Sequence, residues 1–152
     1  MTVSPAGSVP ALSGISDSQL ASKMRVLRVT HDRGWMNDDD PGSSFPGWVR
    51  TSNLGTGDYN NDLTTSTTSG DVWSAAVTGA SVTVYAPKEV GAGTIEILID
   101  GQRRAMADLS TTGTRKPQQM VGQVTGLGAG PHTVSIVNRG TGPVSVDAIT
   151  AQ

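Results

Sequence analysis

The chain has 152 residues and a formal net charge of −2, the length of one domain with room for a hydrophobic core. It has no cysteine and only 16% charged residues, which excludes a disulfide framework, thiolate or cysteine-zinc chemistry, and the basic footprint of a nucleic-acid binder. The 19 Gly, 18 Thr and 16 Ser make up 53 of the 152 residues, while Glu occurs twice and Lys three times, a composition poor in helix-surface residues and rich in strand and turn formers.

Residues 1–14 are small, aperiodic and interrupted by Pro5 and Pro10, the pattern of an extended arm. Ser16 or Asp17 is placed to cap one short helix carrying Leu20 and Met24, and a strand is expected over 25–30. No basic or apolar leader marks a signal peptide, and no apolar run is long enough to span a bilayer. Residues 31–68 read as a long loop region containing Asp38, Asp39 and Asp40, the turn pairs Pro41-Gly42 and Pro46-Gly47, and Asn60-Asn61. A loop of that length in a compact domain is functional or hides short strands.

From Asp71 onward the periodicity is that of half-buried strands. Trp73, Ala75 and Val77, then Val82 and Val84 with Tyr85, then Ile95, Ile97 and Ile99 alternate with polar residues. Further strands fit 103–109, 118–125, 132–138 and 144–150. Asp100-Gly101 between two of them predicts a hairpin with a type I′ turn. Seven or eight short strands at this spacing predict an all-β antiparallel jelly-roll β-sandwich over 28–152, preceded by the arm 1–27 with at most one short helix.

The run Asn53-Leu54-Gly55-Thr56-Gly57-Asp58-Tyr59-Asn60-Asn61-Asp62, then Thr67-Thr68-Ser69-Gly70-Asp71, resembles the galactose-binding-like jelly-roll modules appended to secreted bacterial glycoside hydrolases. Downstream the resemblance continues through Gly79, Val82, Val84 and Tyr85, then Gly93 to Gly101, Gln118-Gln119, Gly126-Leu127, Gly130 to Thr133 and Val146-Asp147-Ala148. Asn37 to Pro41 with Gly47-Trp48 is similar to the acidic entry strand and Gly-Trp step of the same modules. Val77 stands where such modules commonly carry an aromatic. The resemblance implies a non-catalytic carbohydrate-binding module acting outside the cell on a glycan or polysaccharide, and a structural calcium.

The residues themselves give catalysis little material. His31 and His132 are the two imidazoles; His132 after Gly130-Pro131 reads as a side chain pinning a turn. Glu96 alternates outward from Ile95 and Ile97, and Glu89 follows Lys88. The pairs Arg103-Arg104 and Arg115-Lys116 read as solvated charges. Hard oxygen ligands for Ca²⁺ are offered by Asp38, Asp39 and Asp40, with Asp32, Asp58 and Asp62 nearby in sequence; no other cofactor is called for. Four of the six aromatics, Trp35, Phe45, Trp48 and Tyr59, fall in the polar stretch 35–61. An aromatic wall with amides and carboxylates beside it is what a sugar requires, so Trp35, Trp48, Asp58, Tyr59, Asn60 and Asn61 are the candidate ligand contacts. Trp73 reads as core, and Trp48 fits core or site equally. The alternative is a structural attachment protein, such as a phage virion decoration or tail component, docked on a capsid or tail protein through residues 1–27.

Overall fold

The structure, a computed structural model, describes residues 35–40 and 42–152. The arm 1–27, the short helix, the strand over 25–30, His31 and Asp32 lie outside the described residues.

The alternating sequence from Asp71 onward supplies strands to both layers of a sandwich, including four of the five in the larger sheet. Its five strands lie in the order β2 (Ser43–Ser44), β5 (Val72–Thr78), β10 (Pro131–Asn138), β7 (Thr94–Ile99) and β8 (Gln102–Asp108). The facing layer combines two smaller sheets. One has the order β1 (Trp35–Asn37), β12 (Ala148–Ala151), β6 (Val82–Lys88), β9 (Lys116–Val124); the other has the order β11 (Val144–Val146), β4 (Leu63–Ser66), β3 (Val49–Thr51). They meet where β11 runs through Asp147 into β12. All strand pairings are antiparallel, as the predicted jelly-roll sandwich requires. The stretch read as one long loop does hide short strands, β1 to β4.

Period two puts one face of each strand inside. Trp73, Ile95, Ile97, Val134 and Ile136 from one layer meet Val82, Val84, Val144, Val146 and Ile149 from the other, all buried. Each fully buried residue of this kind contributes roughly 1.5–3 kcal/mol. Trp48, at 7% exposure, belongs to the same cluster, so the core half of its sequence reading is the one realised. Glu96 points away from the core as expected, yet it is buried beneath Arg103 and Arg139, 3.4 and 2.9 Å away.

Two glycine-rich loops, 89–93 and 139–143, cross with no room for a side chain. A Cβ on Gly93 would lie 2.6 Å from the Gly142 carbonyl oxygen, and one on Gly140 would lie 2.6 Å from the Thr94 nitrogen. The Gly93 amide donates to Pro143 O at 2.9 Å, which fixes the loop that begins with Glu89. Gly93→Ala therefore pushes backbone against backbone and is expected to cost about 2–3 kcal/mol in denaturant unfolding, whereas Gly128→Ala, with open space around its Cβ, stays within about 0.5 kcal/mol.

Asp100 and Gly101 have φ of 53° and 83° between the paired Ile99 and Gln102, the predicted type I′ turn. Asp100 then clasps the neighbouring loop. Its Oδ1 accepts the Thr133 amide at 2.8 Å and its Oδ2 lies 2.7 Å from His132 Nδ1, while His132 Nε2 lies 2.5 Å from Gly128 O. Carboxylate and carbonyl both only accept, so a ring bonded at both nitrogens is the imidazolium. The hydrogen bond to Asp100, then that to Gly128, raises the His132 pKa above 6.5; the bonds from His132 and Thr133 lower that of Asp100. A raised histidine pKa means that this clasp stabilises fully below pH 6.5 and fades as pH rises through the folded value; the lowered Asp100 pKa makes it fade again in acid, below 3.8. The melting-temperature difference between the wild type and His132→Ala should be largest near pH 5–6 and shrink as pH rises through the folded histidine value; a difference that is flat with pH would refute the doubly bonded ring.

Candidate functional site

The segment 53–62 is built to turn back on itself. Asn53, Asn60 and Asn61 have φ of 60°, 54° and 59°, and Gly55 and Gly57 are also left-handed, a region where Asn and Gly are tolerated and most residues are not. The Leu54 amide closes the loop on Asn61 O at 3.0 Å, and Tyr59–Asn61 forms a 3-10 turn. The loop lies against the junction of the two smaller sheets, where the Tyr59 amide donates to Asp147 Oδ1 at 2.8 Å.

Beneath it four carboxylates are buried: Asp38, Asp58, Asp62 and Asp147. Asp38 follows β1, Asp62 precedes β4 and Asp147 joins β11 to β12, so the fold itself draws together residues up to 109 positions apart. Two arginines answer them. Arg50 on β3 pairs with Asp39 and, at 2.6 Å, with Asp62; Arg115 pairs with Asp58 at 2.9 Å and with Glu89 at 3.0 Å. Thr64 donates to Asp38, and Trp73 Nε1 donates to Asp38 O at 2.8 Å, tying the core to the acids.

The compensation is incomplete. Burial, with Asp62 and Asp39 beside it, pushes the Asp38 carboxyl up to about 8 although the Thr64 hydroxyl pulls the other way. Burial and Asp58 push Asp147 up to about 7 against the Tyr59 amide and Arg115. Asn37 Oδ1, Asp38 Oδ1, Asp62 Oδ1 and Asp147 Oδ2 are buried without a hydrogen-bond partner. Asp38, Asp39 and Asp62 each bring an oxygen within 4.8 Å of the others. Unpartnered hard oxygens in a buried acidic site are the donor set that Ca²⁺ takes, so these residues fit the ion. The expected trio is thus altered in one member: Asp62 joins Asp38 and Asp39, while Asp40 accepts the Asn37 amide at 2.8 Å.

The candidate ligand contacts are distributed unevenly. Trp35 stacks on Tyr59 at 5.2 Å and 15° and on Tyr85 at 4.5 Å and 28°. Both tyrosine rings thus pack against the indole, which is half-buried. Asn60 and Asn61 are exposed on the loop; Asp58 is buried behind Arg115.

Beside the loop lies a pocket of about 220 Å³. The outward face of the β3, β4 and β11 sheet lines it with Thr51, Leu63, Thr65 and Ser145; loop residues Leu54 and Thr56, with Glu89 and Arg115, complete the lining. Arg115, read from sequence as a solvated charge, is only 26% exposed and is the pocket's structural cation. Neither it nor Glu89 carries a local signal, since their partners are 57 and 26 residues apart in sequence.

No protein-family model matches the sequence, and no curated protein matches it. Solved structures do match in fold. A family 35 carbohydrate-binding module from an environmental isolate has a TM-score of 0.61 at 16% identity, over 76% of this chain and 89% of that one. A module of the same family from Paenibacillus barcinonensis has a TM-score of 0.56 at 18% identity, over 76% of this chain and 95% of that one. A two-domain esterase active on acetylated mannans, co-crystallised with mannopentaose, has a TM-score of 0.60 at 17% identity over 78% of this chain. The chain spans 36% of that esterase, and 18% of a Paenibacillus cycloisomaltooligosaccharide glucanotransferase that it also matches. The described residues therefore share the antiparallel β-sandwich fold of these modules.

Proposed function

We propose that the domain is a non-catalytic carbohydrate-binding module that holds its bearer on a glycan outside the cell. The observation that carries the reading is the pocket on the β3, β4 and β11 sheet, walled by hydroxyls and two leucines, which offers a sugar the polar groups and apolar patches it needs. Its carboxylate, Glu89, and the buried Asp58 are both ion-paired to Arg115, an arrangement suited to holding shape and not to the paired acid and base of a glycosidase. Tyr59, Asn60 and Asn61 form the rim of the same loop, with Trp35 bracing Tyr59 from below and Asp58 bracing Arg115. Affinity electrophoresis in gels containing neutral plant and bacterial polysaccharides tests this. At least one should retard the domain, and Thr51→Arg, a change at an exposed pocket residue, should abolish the retardation without lowering the melting temperature. Unretarded migration in every gel would refute the reading.

A structural calcium at Asp38, Asp39 and Asp62, with Asn37 Oδ1 beside them, completes it. When bound, the ion would neutralise the acids and fix the loop 53–62 that walls the pocket. Calcium at about 100 times its dissociation constant should add about 2.7 kcal/mol of stability, seen as a higher melting temperature. Because Asp38 must lose its proton near pH 8, affinity should rise from pH 6 to 8 by up to about tenfold per unit. Asp38→Asn mimics the protonated acid, so it should fold normally and lose the response. A calcium-indifferent wild type would exclude the ion.

A further inference from the structure

An arginine in a sugar pocket ordinarily announces a carboxylate ligand, because its planar fork matches one. Here the fork is already spent. Arg115 Nε donates to Glu89 Oε2 at 3.0 Å, Nη2 donates to both oxygens of Asp58 at 2.9 and 3.1 Å, and Nη1 faces Thr56 O at 3.4 Å. Asp58 is 5% exposed, and turning Arg115 toward a ligand would strand that charge in the interior, the costliest kind of broken ion pair. Burial alone would loosen the Arg115 proton, but Asp58 and Glu89 outweigh it and hold the guanidinium charged.

Glu89 is what the pocket shows instead. Its side chain is 41% exposed, and Oε1 takes no hydrogen bond among the described residues, Oε2 alone being engaged by Arg115. Glu89 and Asp58 against Arg115 leave the wall one negative charge in excess. The neighbouring cations are Lys88, which acts on Asp108, and its cross-strand partner Lys116, and neither lines the pocket. We infer that the pocket selects uncharged glycans and rejects uronate-bearing ones: sugar hydroxyls donate to Glu89 Oε1 and exchange hydrogen bonds with Thr51, Thr65 and Ser145, while a uronate meets a like charge and finds no free cation among the residues lining the pocket. The inference rests on the glycan-binding reading above and adds the class of sugar.

Isothermal titration of the domain with mannopentaose, xylopentaose, cellopentaose and pentagalacturonate tests it. At least one neutral pentasaccharide should bind, with pentagalacturonate at least about tenfold weaker at low salt, where repulsion is least screened. Glu89→Gln, at a half-exposed position, should raise pentagalacturonate affinity at least about threefold and change neutral binding less. Pentagalacturonate binding as tightly as the best neutral sugar, or a Glu89→Gln variant with unchanged selectivity, would overturn the selectivity and leave the glycan-binding reading intact. Wild-type protein that binds none of the four, and is retarded by no polysaccharide gel, would overturn that reading and this inference together.

Discussion

Four carboxylates are buried at the place where β1, β4 and the β11–β12 hinge converge, and most of what lies around them answers the cost. An isolated ionised carboxylate loses several kcal/mol of hydration on leaving water, so each must be paired, protonated or bound to a cation. All three responses are visible. Asp58 and Asp62 are held by Arg115 and Arg50; Asp38 and Asp147 are driven toward the neutral acid; and a set of oxygens is left facing inward with nothing to bond. The loop 53–62 closes the site from above, and its succession of left-handed Asn and Gly is the backbone requirement of that closure.

The pocket inherits its chemistry from this arrangement. Arg115 is oriented by Asp58, which belongs to the buried group, and Arg115 in turn sets Glu89 at the wall. The loop bearing Glu89 is pinned from its other end by the glycine crossing at Gly93 and Gly142. A side chain at the pocket mouth is thereby positioned through a chain of contacts that starts in the acid cluster, and changes there reach the pocket without touching a ligand.

The fold was legible because its signals are local. Period-two alternation needs only neighbouring residues, and it located β5, β6 and β7 and the hairpin at Asp100-Gly101; His132 was read correctly as a turn clasp because Gly130-Pro131 stands next to it. The strands β1 to β4 were hidden since they are two to four residues long, too short for a period to register. The acidic cluster is half legible: adjacency in sequence suggests Asp38, Asp39 and Asp40, but the chain turns after β1 and folds the Asp40 carboxylate back onto the Asn37 amide, and Asp62 enters across 24 residues because the loop brings it back. Arg115 and Glu89 had no signal at all, each being ordinary until a distant partner defines it.

The aromatics illustrate the same limit. Composition in the 35–61 stretch favoured a sugar platform, and a polar setting favoured exposure; neither property says whether a ring's faces are free. Trp35 stacks on both Tyr59 and Tyr85, and stacked pairs of this kind stabilise by about 0.5–1.5 kcal/mol beyond burial. The stack fastens the loop carrying Tyr59 to the β6 strand carrying Tyr85, and Leu54 and Thr56 of that loop line the pocket. The hydroxyls of the floor and the outward Glu89 carboxylate are then the polar surface of the pocket, and none of the three stacked rings lines it.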